Sequence, residues 1–187
     1  PEFIDIQQGS QGRESLLWSY SMSRPFQQNR LYAPQARHAM IRRLIDNTGL
    51  GEAVSIEEAF LEPVQNASRI RVERVEHQGF ALIHLESIGA DWFAAMSREL
   101  LALIAAGMES ICVSIPTKAP QPPDMETRLA SIRLLFCGMH MTALDALDMA
   151  YCLTIKPINF ESMQMHDPVA LQLLKTMQIE YEALRNA

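Results

Sequence analysis

The sequence is poor in cysteine and in long apolar runs. Its three cysteines, Cys112, Cys137 and Cys152, each lie inside an apolar stretch, which favours small buried side chains over disulfide bridges or metal ligands. No apolar run approaches the roughly 18 residues that a membrane-spanning helix needs, and the first residues lack the basic-then-apolar pattern of a signal peptide. These absences predict a cytoplasmic protein with no membrane association.

Several catalytic motifs are also missing. The sequence has no glycine-rich phosphate loop, no paired CxxC, no HExxH and no glycine-serine nucleophile elbow, which argues against ATPases, zinc modules and serine hydrolases. Cys137 and His140 have the spacing C-x-x-H, but no second pair of ligands accompanies them. We therefore predict no metal site and no bound cofactor.

What the chain does contain fits one domain with a sizeable core. It has 187 residues, of which 48% are hydrophobic, enough to fold without disulfides or metal. The opening Pro1-Glu2-Phe3 is typical of a cloning remnant, and residues 7–12 (QQGSQG) are polar and glycine-rich. We predict a tag remnant and flexible leader over residues 1–12 and a single α/β domain over residues 13–187, which a fragment of a larger protein would also provide.

Charge is distributed unevenly. The net charge is −6, yet between residues 11 and 48 six arginines oppose two acidic residues. A basic N-terminal third on an acidic body can dock an acidic carrier protein or another protein, and Arg37, Arg42 and Arg43 are the candidate docking residues. The overall acidity argues against nucleic-acid binding. Arginines scattered over a solvated helix face are the alternative.

Hydrophobic periodicity predicts the first half of the fold. Residues 37–47 have helical spacing between Pro34 and two glycines, and the capping-box pattern Ser55-Ile-Glu-Glu58 predicts a short helix to about Leu61. Alternating residues 70–75 and the strand-like run 80–85 flank the turn His77-Gln-Gly79. Together these two runs predict a β-hairpin.

The second half alternates helices and strands. Capping residues and apolar stripes predict helices that begin after Asp91, Asp124 and Asp167, the second of them with Leu135 and Phe136 inward and closed by Gly138. Continuous apolar runs predict strands at 111–115 and 151–155. The order from residue 70 is therefore β-β-α-β-α-β-α after an N-terminal helix. This order predicts an α/β (α+β) protein with a mixed central sheet and flanking helices.

This order and three short segments resemble a known family. The segments are 30–41 (RLYAPQARHAMI), 72–75 (VERV) and 153–157 (LTIKP), the last followed by Ala170-Leu171. They resemble the arginine-leucine, proline, methionine-leucine segment, the glutamate, and the late strand with its following helix in acyl-homoserine-lactone synthases. That family of autoinducer synthases belongs to the GNAT superfamily of N-acyltransferases. Its serine-arginine after the glutamate has no counterpart here in register, so an active enzyme and a diverged, inactive relative both fit.

The resemblance implies a GNAT-like fold and transfer of an acyl group from acyl carrier protein or acyl-coenzyme A to S-adenosylmethionine. An amine that attacks a thioester must first lose a proton to a nearby base, for which Glu73 is the candidate catalytic residue. Arg30 and Arg74 are candidates to hold a substrate carboxylate by two hydrogen bonds. The alternative is that Glu73 only pairs with Arg71 or Arg74 on an exposed strand.

A regulatory or protein-interaction domain of a larger bacterial protein, without catalytic activity, is the competing interpretation. The eleven methionines can fill a core, line an acyl tunnel or present an adaptable apolar groove to a partner. An acyltransferase needs a central sheet that splays near Glu73, whereas an interaction domain needs an exposed apolar patch. A homodimer would favour the second interpretation.

Overall fold

The computed structural model describes residues 5–8, 14–17, 28–47, 54–62, 65–141 and 146–186. Within these ranges, no helix has the length and apolar character that crossing a membrane requires. The elements in chain order are β1 (Asp5–Gln8), β2 (Glu14–Leu17), β3 (Arg30–Tyr32), α1 (Gln35–Asn47), β4 (Ser55–Glu57), β5 (Arg69–Val75), β6 (Phe80–Ser87), α2 (Trp92–Ala105), β7 (Ser110–Pro116), α3 (Met125–Ser131), β8 (Leu135–Met141), β9 (Leu147–Thr154) and α4 (Pro168–Asn186). The predicted leader lies mostly outside the described residues.

The centre of the fold is a mixed five-stranded sheet in the order β5-β6-β7-β9-β8. β5 and β6 form the predicted antiparallel hairpin, β6 and β7 run parallel, and β9 is antiparallel to both of its neighbours. β1 with β2 and β3 with β4 form two small separate sheets. The prediction of an α+β fold around a mixed sheet is confirmed.

The parallel pair β6–β7 comes apart at its carboxyl end. Its register runs from Phe80 opposite Ser110 to His84 opposite Ser114 and stops there. Both strands continue beyond this last pair, β6 to Ser87 and β7 to Pro116. Backbone groups on the facing edges past His84 and Ser114 therefore have no partner in this ladder.

One face of the sheet carries the helices. The hydroxyl of Tyr151 in β9 donates a hydrogen bond to Glu126 of α3, and the guanidinium of Arg37 in α1 lies 5.1 Å from the ring centre of Phe136 in β8. Arg37 also pairs with Glu180 of α4. These contacts place α1, α3 and α4 on the face of Tyr151 and Phe136.

Helix α2 lies on the same face, because Arg128 of α3 stacks 5.4 Å from the ring centre of Phe93 in α2. Side chains alternate along each strand, so residues next to Tyr151 and Phe136 in sequence point to the opposite face. There the strands present polar and sulfur-containing side chains among apolar ones such as Leu82 and Ala150. The functional candidates described below come from this opposite face.

The predicted helix at residues 55–61 is wrong. Ser55–Glu57 form β4 instead, which pairs parallel with β3. Glu58, expected to cap its own helix, accepts a hydrogen bond from the backbone N–H of Gln35 at 2.9 Å and so binds the start of α1. The Glu58 carboxylate therefore binds an N–H group at the start of a different helix, not at the start of a helix of its own.

The predicted helix from Asp124 to Gly138 is too long. α3 ends at Ser131, Arg133 follows with φ 62°, and Leu135 and Phe136 lie in β8, where Gly138 sits at a register irregularity. A short continuous apolar run does not distinguish a buried strand from a helix by periodicity. The order from β5 is consequently β-β-α-β-α-β-β-α.

The predicted starts of the two long helices are confirmed, with different roles for their aspartates. Asp167 caps α4, because its Oδ1 accepts hydrogen bonds from the N–H groups of Val169 and Ala170 at 2.9 and 2.8 Å. Asp91 precedes α2, but its carboxylate accepts from the N–H of Ser68 at 2.7 Å. Asp91 therefore links Ser68, the residue before β5, to the start of α2.

Candidate functional site

Five polar side chains, one from each strand of the main sheet, converge on the face away from the helices. We call them the polar cluster: Glu73 (β5), His84 (β6), Ser114 (β7), Asp148 (β9) and His140 (β8). The registers place them together, since His84 is paired with Ser114 and His140 with Asp148. The cluster therefore lies where β6 and β7 part.

Three members of the polar cluster are buried despite their polarity. The exposed fraction is 8% for His84, 1% for Ser114 and 8% for Asp148. Polar groups lose free energy when they leave water unless they find hydrogen-bond partners. Burial of these three polar side chains at one point of the sheet is therefore not explained by core packing alone.

His84 and Glu73 form a close pair. Nε2 of His84 lies 3.3 Å from Oε1 of Glu73, but the approach lacks hydrogen-bond geometry, and this buried nitrogen has no hydrogen-bond partner in the described parts of the chain. Burial lowers the pKa of His84 and the charge of Arg71 lowers it further, while Glu73 acts in the opposite direction. His84 is therefore neutral at pH 7.

Glu73 also binds Arg71, which was the structural alternative raised by the sequence. The Arg71 guanidinium donates hydrogen bonds to Glu73 and, at 3.2 Å, to Glu86. Burial raises the pKa of Glu73, but the hydrogen bond and the charge of Arg71 lower it, as does the imidazole of His84 whenever it is protonated, so the pKa is lowered overall. An ionised Glu73 is a weak base by itself and a strong partner for a protonated imidazole.

His140 faces His84 across the cluster, with 6.0 Å between the two ring centres. Burial lowers the pKa of His140, and the neighbouring His84 lowers it further. Its Nδ1 is buried and has no hydrogen-bond partner within the described ranges. An unsatisfied buried polar atom costs about 1–3 kcal/mol, so two such nitrogens on one face indicate a place where a polar ligand group or water binds.

Ser114 and Asp148 form the most buried pair of the cluster. The Ser114 hydroxyl donates a hydrogen bond to Oδ2 of Asp148 at 2.8 Å. Burial raises the pKa of Asp148 to about 6, against the opposing effects of Ser114 and Lys118. The carboxyl group of Asp148 therefore keeps its proton to a higher pH in the folded protein than in the unfolded chain.

Replacement of Asp148 by asparagine should stabilise the protein at pH 8. Because the pKa of Asp148 rises on folding from 3.8 to about 6, ionisation opposes folding as the pH increases through this interval, and the full penalty is present above it. Asp148→Asn removes this penalty and retains an acceptor for Ser114. We expect a gain of about 2 kcal/mol in the free energy of unfolding at pH 8, measured with urea, and a smaller gain at pH 4.5.

Glu161→Gln is the matched control for Asp148→Asn. Glu161 is exposed, and its loss of one negative charge should change stability by no more than about 0.5 kcal/mol. An Asp148→Asn variant that is less stable than the native protein at pH 8 would contradict the assigned ionisation penalty.

Of the predicted substrate-binding residues, neither joins the polar cluster. Arg74 follows Glu73 in β5, so it points to the opposite face of the sheet. Arg30 lies in β3, where its Nε is 3.0 Å from a carboxylate oxygen of Glu57. Among the predicted site residues, the cluster contains Glu73 alone.

The three predicted docking arginines have different surroundings. The Arg37 side chain is 14% exposed and pairs with Glu126 and Glu180, so little of its charge is offered to a partner. Arg42 lies 3.9 Å from Asp46, and the exposed Arg43 donates to Gln172. Docking of an acidic protein stays a prediction, with Arg42 and Arg43 as its accessible residues.

The prediction of three unbridged cysteines is wrong for two of them. Cys112 in β7 and Cys152 in β9 lie directly opposite each other, with Cα atoms 4.3 Å apart, and form a disulfide. Cys137 is free and buried, and its sulfur lies 3.3 Å from that of Cys152. The cytoplasmic location therefore stays a prediction that the cysteines no longer support.

Four members of the polar cluster were not identified from the sequence as catalytic candidates. His84 entered the sequence analysis only as part of the strand-like run 80–85, and His140 as part of an isolated C-x-x-H. Ser114 and Asp148 carried no motif. The available signal was polarity at inward positions of apolar strands, which marks a residue as unusual without giving its neighbours.

Metal ions and known relatives give no further indication. In the described part of the chain, no group of three or more His, Cys, Asp or Glu side chains is placed to hold a metal ion. No protein-family model, no curated protein and no solved structure matches this chain. A functional assignment must therefore come from the polar cluster itself.

Proposed function

We propose that this chain is an N-acyltransferase-like domain, similar in fold to the GNAT superfamily and to acyl-homoserine-lactone synthases, with the polar cluster as its active site. The observation that carries the proposal is the Glu73–His84 pair beside the point where β6 and β7 part. A base and a cleft between strands are the two features that acyl transfer to an amine requires of such a fold. Acyl carrier thioesters or acyl-coenzyme A are the proposed donors, and S-adenosylmethionine is the first acceptor to test.

In this proposal His84 accepts the proton. The acceptor binds as an ammonium group and must lose a proton before its nitrogen attacks the thioester carbonyl. Neutral His84 takes that proton at Nε2, which has no hydrogen-bond partner in the described residues. Glu73 then stabilises the imidazolium ion, so its role is electrostatic and orienting instead of that of the predicted direct base.

The separation of the parallel strands β6 and β7 exposes backbone groups that can stabilise the negative charge of the intermediate. As the nitrogen–carbon bond forms, the thioester oxygen becomes an oxyanion, which backbone N–H groups stabilise. Unpaired edges of β6 and β7 lie beyond His84 and Ser114. The intermediate then collapses and the carbon–sulfur bond breaks. The departing thiolate takes up the proton that the attacking nitrogen loses as the amide forms, and His84 returns its proton to water.

Substitution of the proposed base is the direct test. With a donor and acceptor first identified by thermal shift, His84→Asn and Glu73→Gln should each lower kcat/KM about 100-fold or more while the fold is retained. Glu86→Gln is the matched control, because Glu86 also binds Arg71 but is not at ion-pair distance from His84. Full turnover in the His84 variant would contradict the assignment.

The pH dependence of kcat/KM gives a second readout of the same group. Because burial and Arg71 lower the pKa of His84, the base is deprotonated at pH 7, and activity should fall only below the ordinary histidine range near pH 6.5. Glu73→Gln removes the charge that favours the imidazolium ion, so this fall should move to lower pH.

A protein-interaction domain is the second candidate, favoured by exposed apolar side chains on two helices. Leu101 of α2 is 67% exposed and Ile179 of α4 is 68% exposed. Light scattering coupled to size-exclusion chromatography separates the candidates when combined with the thioester screen. A homodimer that neither binds nor turns over any thioester would favour the interaction domain.

A further inference from the structure

A pocket of about 220 Å³ lies between the main sheet and the end of α4. It is lined by residues around the end of β9, including Leu153 and Lys156, and by Tyr181, Leu184 and Arg185 of α4, with Arg133 from the turn before β8. Thr154, at this end of β9, pairs with Ser110, whereas Asp148 pairs with Pro116 at the other end. The pocket is therefore separated from Asp148 by about 20 Å along the strand.

Three cationic side chains line this basic pocket, and no acidic residue does. Lys156 pairs with Glu109 at 2.6 Å. Arg133 and Arg185 have no carboxylate partner in the described ranges, and the guanidinium of Arg185 instead lies 5.7 Å from the ring centre of Tyr181. In a chain of net charge −6, this concave surface is a local concentration of positive charge.

Arg133 adds a second observation, because its backbone adopts φ 62°. Residues other than glycine and asparagine lose stability in this left-handed conformation. An arginine there accepts a conformational cost at a position where glycine would have none. From this turn Arg133 lines the pocket, and backbone strain of this kind is often found at ligand-binding positions.

The lining also determines what kind of anion fits. Leu153, Leu184 and the ring of Tyr181 provide an apolar surface next to the cations, and arginine forms paired hydrogen bonds with planar or tetrahedral oxyanions. We propose that the basic pocket binds a small organic phosphate. Arg133 and Arg185 hold the phosphate, and Tyr181 and Leu184 contact the apolar part of the ligand.

Phenyl phosphate, inorganic phosphate and phenol form a matched set of probes for isothermal titration calorimetry. Phenyl phosphate combines a dianion with one aromatic ring and fits a volume of about 220 Å³. It should bind more tightly than inorganic phosphate, which lacks the apolar contact, and than phenol, which lacks the charge. Absence of phenyl phosphate binding at millimolar concentration would overturn the proposal.

Two substitutions locate the site. Arg133→Asn keeps a residue that tolerates positive φ, and Arg185→Gln removes a charge near the end of α4. Each should weaken phenyl phosphate binding about tenfold, whereas Lys175→Gln, an exposed residue of the same helix, should leave it unchanged. Equal affinities in all variants, or equal weakening by Lys175→Gln, would contradict the assignment.

The basic pocket and the polar cluster are tested independently. Glu73→Gln should leave phenyl phosphate binding unchanged, since Glu73 is on β5 at the opposite edge of the sheet from β8. Loss of phenyl phosphate binding in that variant would place the ligand at the polar cluster and overturn the pocket assignment. A melting temperature equal to that of the unsubstituted protein, measured without ligand, shows that a variant remains folded.

Discussion

Arg37→Met should lower the free energy of unfolding by about 3 kcal/mol, measured by urea denaturation. Arg37 donates to Glu126 at 2.9 and 3.1 Å and also pairs with Glu180. The Tyr151 hydroxyl donates to the same Glu126. Removal of the guanidinium leaves two partly buried carboxylates without their shared cation, and it also removes the stacking on Phe136.

Two further variants separate charge from packing at Arg37. Arg43→Met removes an exposed arginine of the same helix and should change stability by no more than about 0.5 kcal/mol. The triple variant Arg37→Met, Glu126→Gln, Glu180→Gln removes the uncompensated charges, so much of the lost stability should return. A triple variant as unstable as Arg37→Met would show that packing, not charge, explains the loss.

Loss of the Cys112–Cys152 disulfide should cost about 2–4 kcal/mol of stability under oxidising conditions. The bridge joins residues separated by 40 positions and therefore restricts the unfolded chain. Cys137 complicates a single substitution, because its sulfur lies 3.3 Å from that of Cys152 and can form a replacement bridge. The double variant Cys112→Ser, Cys137→Ser retains one cysteine and excludes every intramolecular bridge.

Cys137→Ser is the control, since it retains the native bridge. The difference in unfolding free energy between this control and the double variant measures the contribution of the disulfide. Thiol titration of the unsubstituted protein after denaturation should find one free thiol per chain, that of Cys137. Three free thiols, or equal stabilities of the two variants, would show that the bridge does not form in solution.

The sequence predicted those elements whose ends carry local chemical signals. Asp167 and Pro168 mark the start of α4, and the alternation in β5 and β6 predicts their hairpin. It did not predict β4 or β8, because these strands depend on contacts with other parts of the chain. Glu58 caps α1 from a distance of 23 residues. Leu135 and Phe136 are both buried although successive residues of a strand point to opposite faces, so this run lacks the alternation that marks a strand.

Only one residue of the polar cluster was predicted from the sequence as a site residue. Glu73 was identified through a family resemblance, and its proximity to Arg71 followed from strand alternation. The neighbours His140 and Asp148 depend on the sheet order β7-β9-β8, which no local pattern specifies. Arg37 illustrates the same limit, because its partners come from α3 and α4 and turn an arginine expected at the surface into a largely buried one.

The position of β9 between β7 and β8 also has a consequence for synthesis on the ribosome. β8 leaves the exit tunnel first, but its place in the sheet is next to β9, not next to β7. Until residues 147–154 emerge, the edge of β7 that β9 will cover has no native partner, and an exposed strand edge can pair with another chain. The nascent protein therefore depends on the synthesis of β9 to close the sheet against aggregation.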